Sequence, residues 1–247
     1  SESDGPLAAV VRQAVLSRAL AALDGCGALA LSDYGKGVLG EDIAQQIIAA
    51  ARQRGIPVVV DPKGSDYGRY RGASVVTPNA RELALASGHP TASDQDVVAA
   101  ARKLIEACGI EAVLATRSGE GMSLIERGGR VVHVRAQALE VFDVAGAGGT
   151  VVAAIAAALA AGATLETAAG LANLAAGIVV GKLGTAVATP EELHAAIDRK
   201  GASVSSAKVM TLEQALSRAE RWRDQGLTVG FTNGCFDILH RGHTTYL

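Results

Sequence analysis

The chain has 247 residues, of which 49% are hydrophobic but only 3% aromatic, so its core must rest on Ala, Val, Leu and Ile. A formal net charge of −2 argues against a nucleic-acid partner or a membrane surface. The longest apolar stretches, such as residues 151–161, are too short to span a bilayer, and no signal peptide is visible. The three cysteines are scattered and lack metal-ligand spacing, which predicts reduced thiols in a cytoplasmic protein.

Strand-like and helical patterns alternate from the amino terminus onward. The patterns predict helices at residues 7–23, 41–54, 94–108, 150–161, 164–181 and 190–199. They predict strands at 28–32, 57–61, 74–77 and 112–116, and a hairpin formed by 122–126 and 130–134. Strands separated by helices indicate an α/β fold with a mostly parallel sheet and helices on both faces. In such sheets, ligands bind beyond the carboxyl ends of the strands.

The composition changes after the last of these helices. We therefore predict a first domain at residues 1–200, a linker at 201–207 and the start of a second domain at 208–247. The second domain would begin with a helix at about 212–225, capped by Thr211, and a strand at 227–232.

One helix and one strand cannot bury a core, so the second domain is expected to be incomplete. The first predicted helix, at residues 7–23, also reads as an element from within a domain rather than as its first element. Together these features predict that the chain is truncated at both ends relative to its parent protein.

A loop of small residues runs straight into an apolar helix. Gly146, Ala147 and Gly148 carry no side chain large enough to block a phosphate. The bare N–H groups of the first helical turn and the positive end of the helix dipole face the same point. Such a sequence, taken alone, is more often a close-packing feature than an anion site, so it needs support from other residues.

Several polar motifs follow the predicted strands. They are Ser32-Asp33-Tyr34-Gly35-Lys36-Gly37, Asp61-Pro62-Lys63-Gly64, Thr77-Pro78-Asn79-Ala80-Arg81-Glu82, Thr116-Arg117-Ser118-Gly119-Glu120-Gly121, the stretch from Asp143 to Gly149, and Val180-Gly181-Lys182-Leu183-Gly184-Thr185. In this order they resemble the carboxy-terminal two-thirds of ribokinase-like sugar kinases. The first, second and last motifs resemble more narrowly the kinase domain that acts on D-glycero-β-D-manno-heptose 7-phosphate.

The resemblance implies a role for each position. Nine residues would border ATP. The phosphates would be held by Gly146, Ala147, Gly148 and the N–H of Gly149, and Lys63 could offset their charge. The phosphates and ribose would be bordered by Thr116, Gly119 and Gly121, and Asn173 would lie near the adenine. Asn79 and Glu82 would organise Mg²⁺ through water molecules, which suits a hard ion that keeps its hydration shell.

Simpler interpretations of the same residues stay open. Glu82 alone could complement a helix dipole, and Lys63 could be a solvated surface charge. Asn173 could cap or bridge a pair of helices. Asp33 and Asp66 are predicted to anchor loops rather than to catalyse a reaction.

Gly149 departs from the family signature Asp-x-x-Gly-Ala-Gly-Asp, whose final Asp is the catalytic base. General-base catalysis contributes about 10²–10⁴-fold to a rate. We therefore expect the chain as written to be a poor or inactive kinase even where ATP binds. The alternatives are another ribokinase-like sugar kinase, or a catalytically silent module for nucleotide binding or assembly.

The last segment, residues 231–243, contains Gly234-Cys235-Phe236-Asp237-Ile238-Leu239-His240-Arg241-Gly242-His243. It resembles the opening of cytidylyltransferase-like nucleotidyltransferases, which implies that His240 and His243 contact nucleotide phosphates. A sugar kinase followed by this segment resembles the bifunctional heptose-7-phosphate kinase/heptose-1-phosphate adenylyltransferases, which make ADP-heptose for the lipopolysaccharide core. The resemblance implies ATP, Mg²⁺ and heptose 7-phosphate as ligands, phosphorylation at the anomeric hydroxyl, and a homodimeric parent protein.

Overall fold

Strands and helices alternate along the chain in the order that the sequence predicts. The structure, a computed structural model, describes residues 8–40, 42–136, 146–184, 186–202 and 211–230. Within these residues the strands are β1 (Leu29–Ser32), β2 (Val58–Asp61), β3 (Val75–Val76), β4 (Ala112–Thr116), β5 (Met122–Glu126) and β6 (Val131–Val134). The helices are α1 (Ala9–Ala22), α2 (Ile43–Gln53), α3 (Ala80–Ser87), α4 (Asp94–Cys108), α5 (Ala147–Ala160), α6 (Leu165–Val180), α7 (Pro190–Ala202) and α8 (Leu212–Asp224). The chain divides into two compact units, residues 1–197 and 198–247.

The six strands form one sheet in the order β1-β2-β3-β4-β5-β6. Strands β1 to β4 are parallel, whereas β5 and β6 each pair antiparallel with the strand before them. The mostly parallel α/β sheet predicted from the sequence is therefore confirmed, and so is the hairpin of β5 and β6. The parallel strands bring the ends of β1, β2, β3 and β4 to a common carboxyl edge.

The core lies in two layers, one on each face of the sheet. Strand β2 shows why: Val58, Val59 and Val60 are all fully buried, and successive side chains point to opposite faces. Val58 and Val60 pack with α1, α2 and α4, while Val59 packs with α5 and α6. The continuous valine run is the pattern expected of a parallel strand that is covered on both faces.

Helix α3 is an element that the sequence patterns did not predict. It is only eight residues long and begins at Asn79, whose side chain accepts a hydrogen bond from the Glu82 N–H at 2.9 Å. The Glu82 carboxylate in turn accepts from the Asn79 N–H at 3.1 Å. This reciprocal capping box satisfies two backbone donors, and Gly88, in the left-handed conformation, ends the helix.

Helix α5 runs antiparallel to β1. A Cβ atom at Gly27, just before β1, would lie 2.9 Å from the Cβ of Ala160, so only glycine allows this close approach. The carboxyl end of α5 is thereby fixed beside the start of β1. A helix of 14 residues spans roughly 21 Å, whereas a strand of four residues spans roughly 13 Å. The amino end of α5 therefore reaches past the carboxyl edge of the sheet.

The second unit contains α8 among its described residues. Thr211 caps this helix as predicted: its hydroxyl accepts from the Gln214 N–H at 3.3 Å, and Gln214 accepts from the Thr211 N–H at 3.0 Å. The predicted strand at 227–232 is wrong in its described part, because residues 227–230 form no strand and residues 231–232 lie outside the described residues. A strand exists only where a neighbour pairs with it, and no described residue does so here.

The first residues of the predicted linker also differ from expectation. Helix α7 continues to Ala202, so residues 201–202 are helical, and residues 203–207 lie outside the described residues. Among the helices that the structure describes, none combines the length and apolar character that a membrane span requires.

Candidate functional site

The amino end of α5 presents backbone N–H groups without side-chain partners. Gly146 is the N-cap, with a φ of +81°, and no side chain caps the helix. The first donor inside the helix is the N–H of Thr150, which bonds the Gly146 carbonyl at 3.0 Å. The N–H groups of Ala147, Gly148 and Gly149 precede it and have no acceptor within the helix, which is the arrangement that binds phosphate.

A cleft of about 370 Å³ lies at this helix end. Its lining residues are Thr116, Ser118, Gly119, Gly121, Met122, Ala136, Ala147, Gly148, Val151, Asn173, Ala176, Gly177 and Val180. Six of the residues predicted to border ATP, namely Thr116, Gly119, Gly121, Ala147, Gly148 and Asn173, thus share one cleft. The volume falls within the range of small-ligand sites, and the mainly apolar lining suits a flat heterocycle next to the helix end.

Gly121 allows two backbone segments to approach closely beside the cleft. Its φ is +95°, and an added Cβ would lie 2.0 Å from the Val134 oxygen and 2.5 Å from the Ala136 nitrogen. No real side chain tolerates such distances. Glycine is therefore required for the turn after β4 to pack against the chain that leaves β6.

Asn173 connects α6 to that same segment. Its side chain is only 4% exposed, and Nδ2 donates a hydrogen bond to the Arg135 carbonyl at 2.8 Å. The interaction holds Ala136 at the cleft wall. Asn173 therefore bridges a helix and the segment after a strand, rather than the pair of helices that the simpler interpretation named, and a contact between Asn173 and the adenine stays a prediction.

Asn79, Glu82 and Lys63 form a charged cluster next to the cleft. Lys63 Nζ lies 3.3 Å from Glu82 Oε1, while Glu82 Oε2 is used in the capping box of α3. Asn79 is held beside Thr116 by a parallel bridge, because the Thr116 N–H donates to the Pro78 carbonyl at 2.9 Å. The cluster thus borders the cleft at the carboxyl ends of β3 and β4.

The side-chain oxygens in this cluster could bind Mg²⁺ only through bridging water molecules. No group of three or more His, Cys, Asp or Glu side chains that could hold a metal occurs among the described residues. The oxygens of Asn79 and Glu82 already accept backbone hydrogen bonds, and Glu82 also pairs with Lys63. Mg²⁺ keeps several waters and often takes only one or two protein carboxylates, so an outer-sphere role is compatible with this arrangement.

Asp33 anchors the loop after β1. Its side chain is 3% exposed and accepts hydrogen bonds from the Gly35 N–H at 2.8 Å and the Tyr70 hydroxyl at 2.6 Å. Burial and the neighbouring carboxylate of Asp33 raise the pKa of Tyr70, so its hydroxyl stays a donor. Asp66 likewise accepts from the Gly68 N–H at 3.0 Å. Both aspartates therefore act as the predicted loop anchors.

Asp61 ends β2 close to this network. Burial raises the pKa of its carboxyl group, with the Ser32 hydroxyl opposing the shift and the negative charge of Glu82 adding to it. The Ser32 hydroxyl donates to Asp61 Oδ2 at 3.3 Å. The ionised form of Asp61 is therefore disfavoured in the folded protein.

The remaining predicted residues do not line the cleft. Gly146 and Gly149 flank its lining residues in the first turn of α5, and a Cβ at Gly149 would meet nothing within 4 Å. His240, His243 and Asp143 lie outside the described residues.

Sequence reasoning missed two features of the cleft. One is the set of Ala176, Gly177 and Val180, which follow the predicted Asn173 at spacings of three, four and seven residues and so share its face of α6. The other is Arg117, whose side chain lies beneath the turn that carries Ser118 and Gly119.

Comparison with known proteins identifies the relatives of this chain. Residues 4–192 match the sequence profile described as "pfkB family carbohydrate kinase". The chain is 54% identical over 246 residues to the "Bifunctional protein HldE" of Paramagnetospirillum magneticum, covering 100% of this chain and 50% of that protein. It is 50% identical over 225 residues to the protein of the same name from Hahella chejuensis, covering 91% and 46% respectively. The chain thus spans about half the length of the curated relatives it matches.

Solved structures show the same fold. Escherichia coli phosphofructokinase-2 in complex with potassium matches with a TM-score of 0.67 at 21% identity, over 77% of this chain and 62% of that one. Arabidopsis thaliana ribokinase complexed with ribose and ATP matches with a TM-score of 0.62 at 21% identity, over 78% and 60%. The ribokinase-like fold predicted from the sequence is confirmed.

We expect Gly121→Ala to destabilise the first unit strongly. The new methyl group would collide with the backbone at Val134 and Ala136, and alanine disfavours a φ of +95°. Thermal and urea unfolding should show a loss of at least about 2 kcal/mol. Gly128→Ala is the matched control in the neighbouring hairpin, because its Cβ would meet nothing within 4 Å. Equal stability of the two variants would contradict the inferred contact.

We expect Asp61→Asn to stabilise the protein at pH 7. Because the pKa of Asp61 is raised in the folded state, its ionised carboxylate lowers the free energy of unfolding at a pH above that pKa. At a lower pH the carboxyl group is neutral, and this cost disappears. Asparagine retains the acceptor for Ser32. The gain in unfolding free energy should therefore be present at pH 7 and shrink as the pH falls towards 3.

Urea unfolding at both pH values measures this difference. Asp24→Asn is the control, since the Asp24 side chain is 81% exposed. A variant at position 61 that is less stable than the parent at pH 7 would contradict the prediction.

Proposed function

The chain belongs to the pfkB family of carbohydrate kinases, and on this premise we propose that it forms the nucleotide-binding part of a sugar-phosphate kinase. The observation that carries the proposal is the cleft at the uncapped amino end of α5, which gathers Thr116, Gly119, Gly121 and Asn173 around free backbone donors. ATP would place its phosphates against the N–H groups of Ala147, Gly148 and Gly149.

Phosphoryl transfer asks for positioning, neutralisation of charge and a proton acceptor, with little covalent chemistry from the protein. The amino end of α5 would position the phosphates, because its N–H groups are held in place by the helix backbone. Lys63 would contribute to the neutralisation of charge, since its side chain is 56% exposed and could turn from Glu82 towards a phosphate. When bound, Mg²⁺ would neutralise phosphate charge, and Asn79 and Glu82 would hold it through water.

The proposed acceptor substrate is D-glycero-β-D-manno-heptose 7-phosphate, phosphorylated at its anomeric hydroxyl. Support comes from the motifs at residues 32–37, 61–64 and 180–185 and from relatives named "Bifunctional protein HldE" at 54% identity. In the whole protein, a second domain that contains His240 and His243 would transfer an adenylyl group to heptose 1-phosphate. We propose a cytoplasmic, homodimeric parent enzyme in which residues 1–200, 201–207 and 208–247 are kinase domain, linker and start of the second domain, with the first two linker residues continuing helix α7.

Gly149 favours a second candidate function, a catalytically silent nucleotide-binding or assembly module. A glycine offers no side chain to accept the proton of the sugar hydroxyl. The site would then retain nucleotide binding through the backbone and lose the rapid transfer step.

Calorimetric titration of the chain with ATP, with and without Mg²⁺, tests the nucleotide site. We expect saturable binding that strengthens with Mg²⁺, because the ion offsets repulsion between phosphates and the Glu82 carboxylate. Absence of binding at millimolar ATP would contradict both candidate functions.

Introducing an aspartate at position 149 distinguishes a damaged kinase from a catalytically silent nucleotide-binding module. Gly149→Asp should fit without a clash against the described residues, since an added Cβ meets none of their atoms within 4 Å, and Asp in the first turn of α5 is favoured by the helix dipole. If the chain is a damaged kinase, ADP release with heptose 7-phosphate should rise by about 10²–10⁴-fold. Gly149→Asn is the matched control, because it has nearly the same shape but accepts no proton. Equal rates for the two variants, with ATP bound in both, would support the silent module.

A further inference from the structure

Arg117 lies beneath the turn that carries Ser118 and Gly119 to the cleft. Its side chain is only 7% exposed. One terminal nitrogen, Nη1, ion-pairs with Asp94 at the start of α4 and donates to the Ser123 hydroxyl on β5 at 3.2 Å. The other, Nη2, ion-pairs with Glu120 inside the turn itself. One guanidinium group thus connects α4, the turn and β5.

The turn needs such support because its backbone is unfavourable. Ser118 has a φ of +50°, and among the described residues it is the one non-glycine residue with a positive φ. Gly121, three residues later, has a φ of +95°. The turn is closed by hydrogen bonds from the Gly121 N–H to the Ser118 carbonyl at 3.0 Å and from the Arg117 N–H to the Gly121 carbonyl at 2.8 Å.

Removing a guanidinium group from water costs free energy, and a buried ion pair often returns little net stability. Stability alone therefore does not explain why Arg117 is buried. A planar guanidinium does, however, fix several acceptors in one geometry. Asp94 and Glu120 approach it from two sides, and the fully buried Ser123 hydroxyl continues the connection to His133 Nδ1 on β6 at 2.8 Å. The network therefore restrains the side of the turn that faces away from the cleft.

We propose that Arg117 is a positioning residue that holds residues 118–121 in the shape required for nucleotide binding. The proposal rests on the proposed function, because Ser118, Gly119 and Gly121 matter to a ligand only if the cleft takes ATP. Arg117 itself does not line the cleft. It acts through the turn, by joining it to Asp94 and Ser123.

The chain offers a matched control at the other end of the same two strands. Arg127 follows β5, where its Nε lies 3.2 Å from the Glu111 carboxylate and its Nη2 donates to the Ile110 carbonyl at 2.8 Å. It also joins neighbouring segments through an acid and a second acceptor. It lines no part of the cleft, so its removal reports on general destabilisation.

The test compares Arg117→Met, Arg117→Lys and Arg127→Met in the whole chain. ATP affinity is measured by calorimetry well below each melting temperature, and hydrogen exchange of residues 117–124 is measured without nucleotide. We expect Arg117→Met to raise the Kd for ATP about tenfold and to speed exchange at Glu120 and Gly121. Arg117→Lys should fall between the parent and Arg117→Met, because an ammonium group can satisfy only part of the network.

Arg127→Met should lower the melting temperature without changing the Kd. Equal ATP affinities for Arg117→Met and Arg127→Met, or unchanged exchange in the turn, would overturn the proposal. If Arg117→Met fails to fold, Asp94→Asn and Glu120→Gln each weaken one contact while keeping the arginine, and unchanged affinity in both would overturn it as well. If the parent chain binds no ATP, the proposed function fails, and the exchange rates alone decide whether Arg117 holds the turn.

Discussion

The position of the amino end of α5 is the constraint on which the candidate site depends. Gly27 fixes the far end of this helix by allowing Ala160 to approach, and Val151 and Ile155 pack in the same layer as Val59 of the sheet. Because the helix is longer than the strand beneath it, the N–H groups of its first turn, which have no acceptor within the helix, project past the carboxyl edge. The charged cluster and the turn after β4 are useful to an anionic ligand only because these donors already lie there.

Glycines and one buried amide then shape the cleft around that helix end. Gly121 lets the turn after β4 pack against the backbone at residues 134–136, and Asn173 holds that segment from α6. The cleft walls are therefore largely main chain and small side chains, while the charges of Lys63 and Glu82 are not among the lining residues. This division suits a ligand with a flat apolar part and an anionic part.

The sequence predicted the sheet and the long helices well, because a strand covered on both faces must be continuously apolar, as Val58–Val60 is. It did not predict α3, although Asn79 and Glu82 carry the spacing of a capping box, since the same two residues also suit a metal site. Arg117 received no role because its partner Asp94 is 23 residues away in sequence. The strand expected at 227–232 failed in its described part because β-branched residues do not form a strand without a neighbour to pair with.

Our proposal treats nucleotide binding and phosphoryl transfer as separable at Gly149. The donors that face a phosphate belong to the backbone, so they persist whatever side chain occupies position 149. The packing of α5 relies on Val151, Val152 and Ile155, and a Cβ at position 149 would meet no atom of the described residues within 4 Å. Neither the fold nor the cleft therefore requires the carboxylate that the family uses as its base. The cleft argues for nucleotide binding, whereas the proposed loss of transfer rests on the resemblance to a family signature that has Asp where this chain has Gly149.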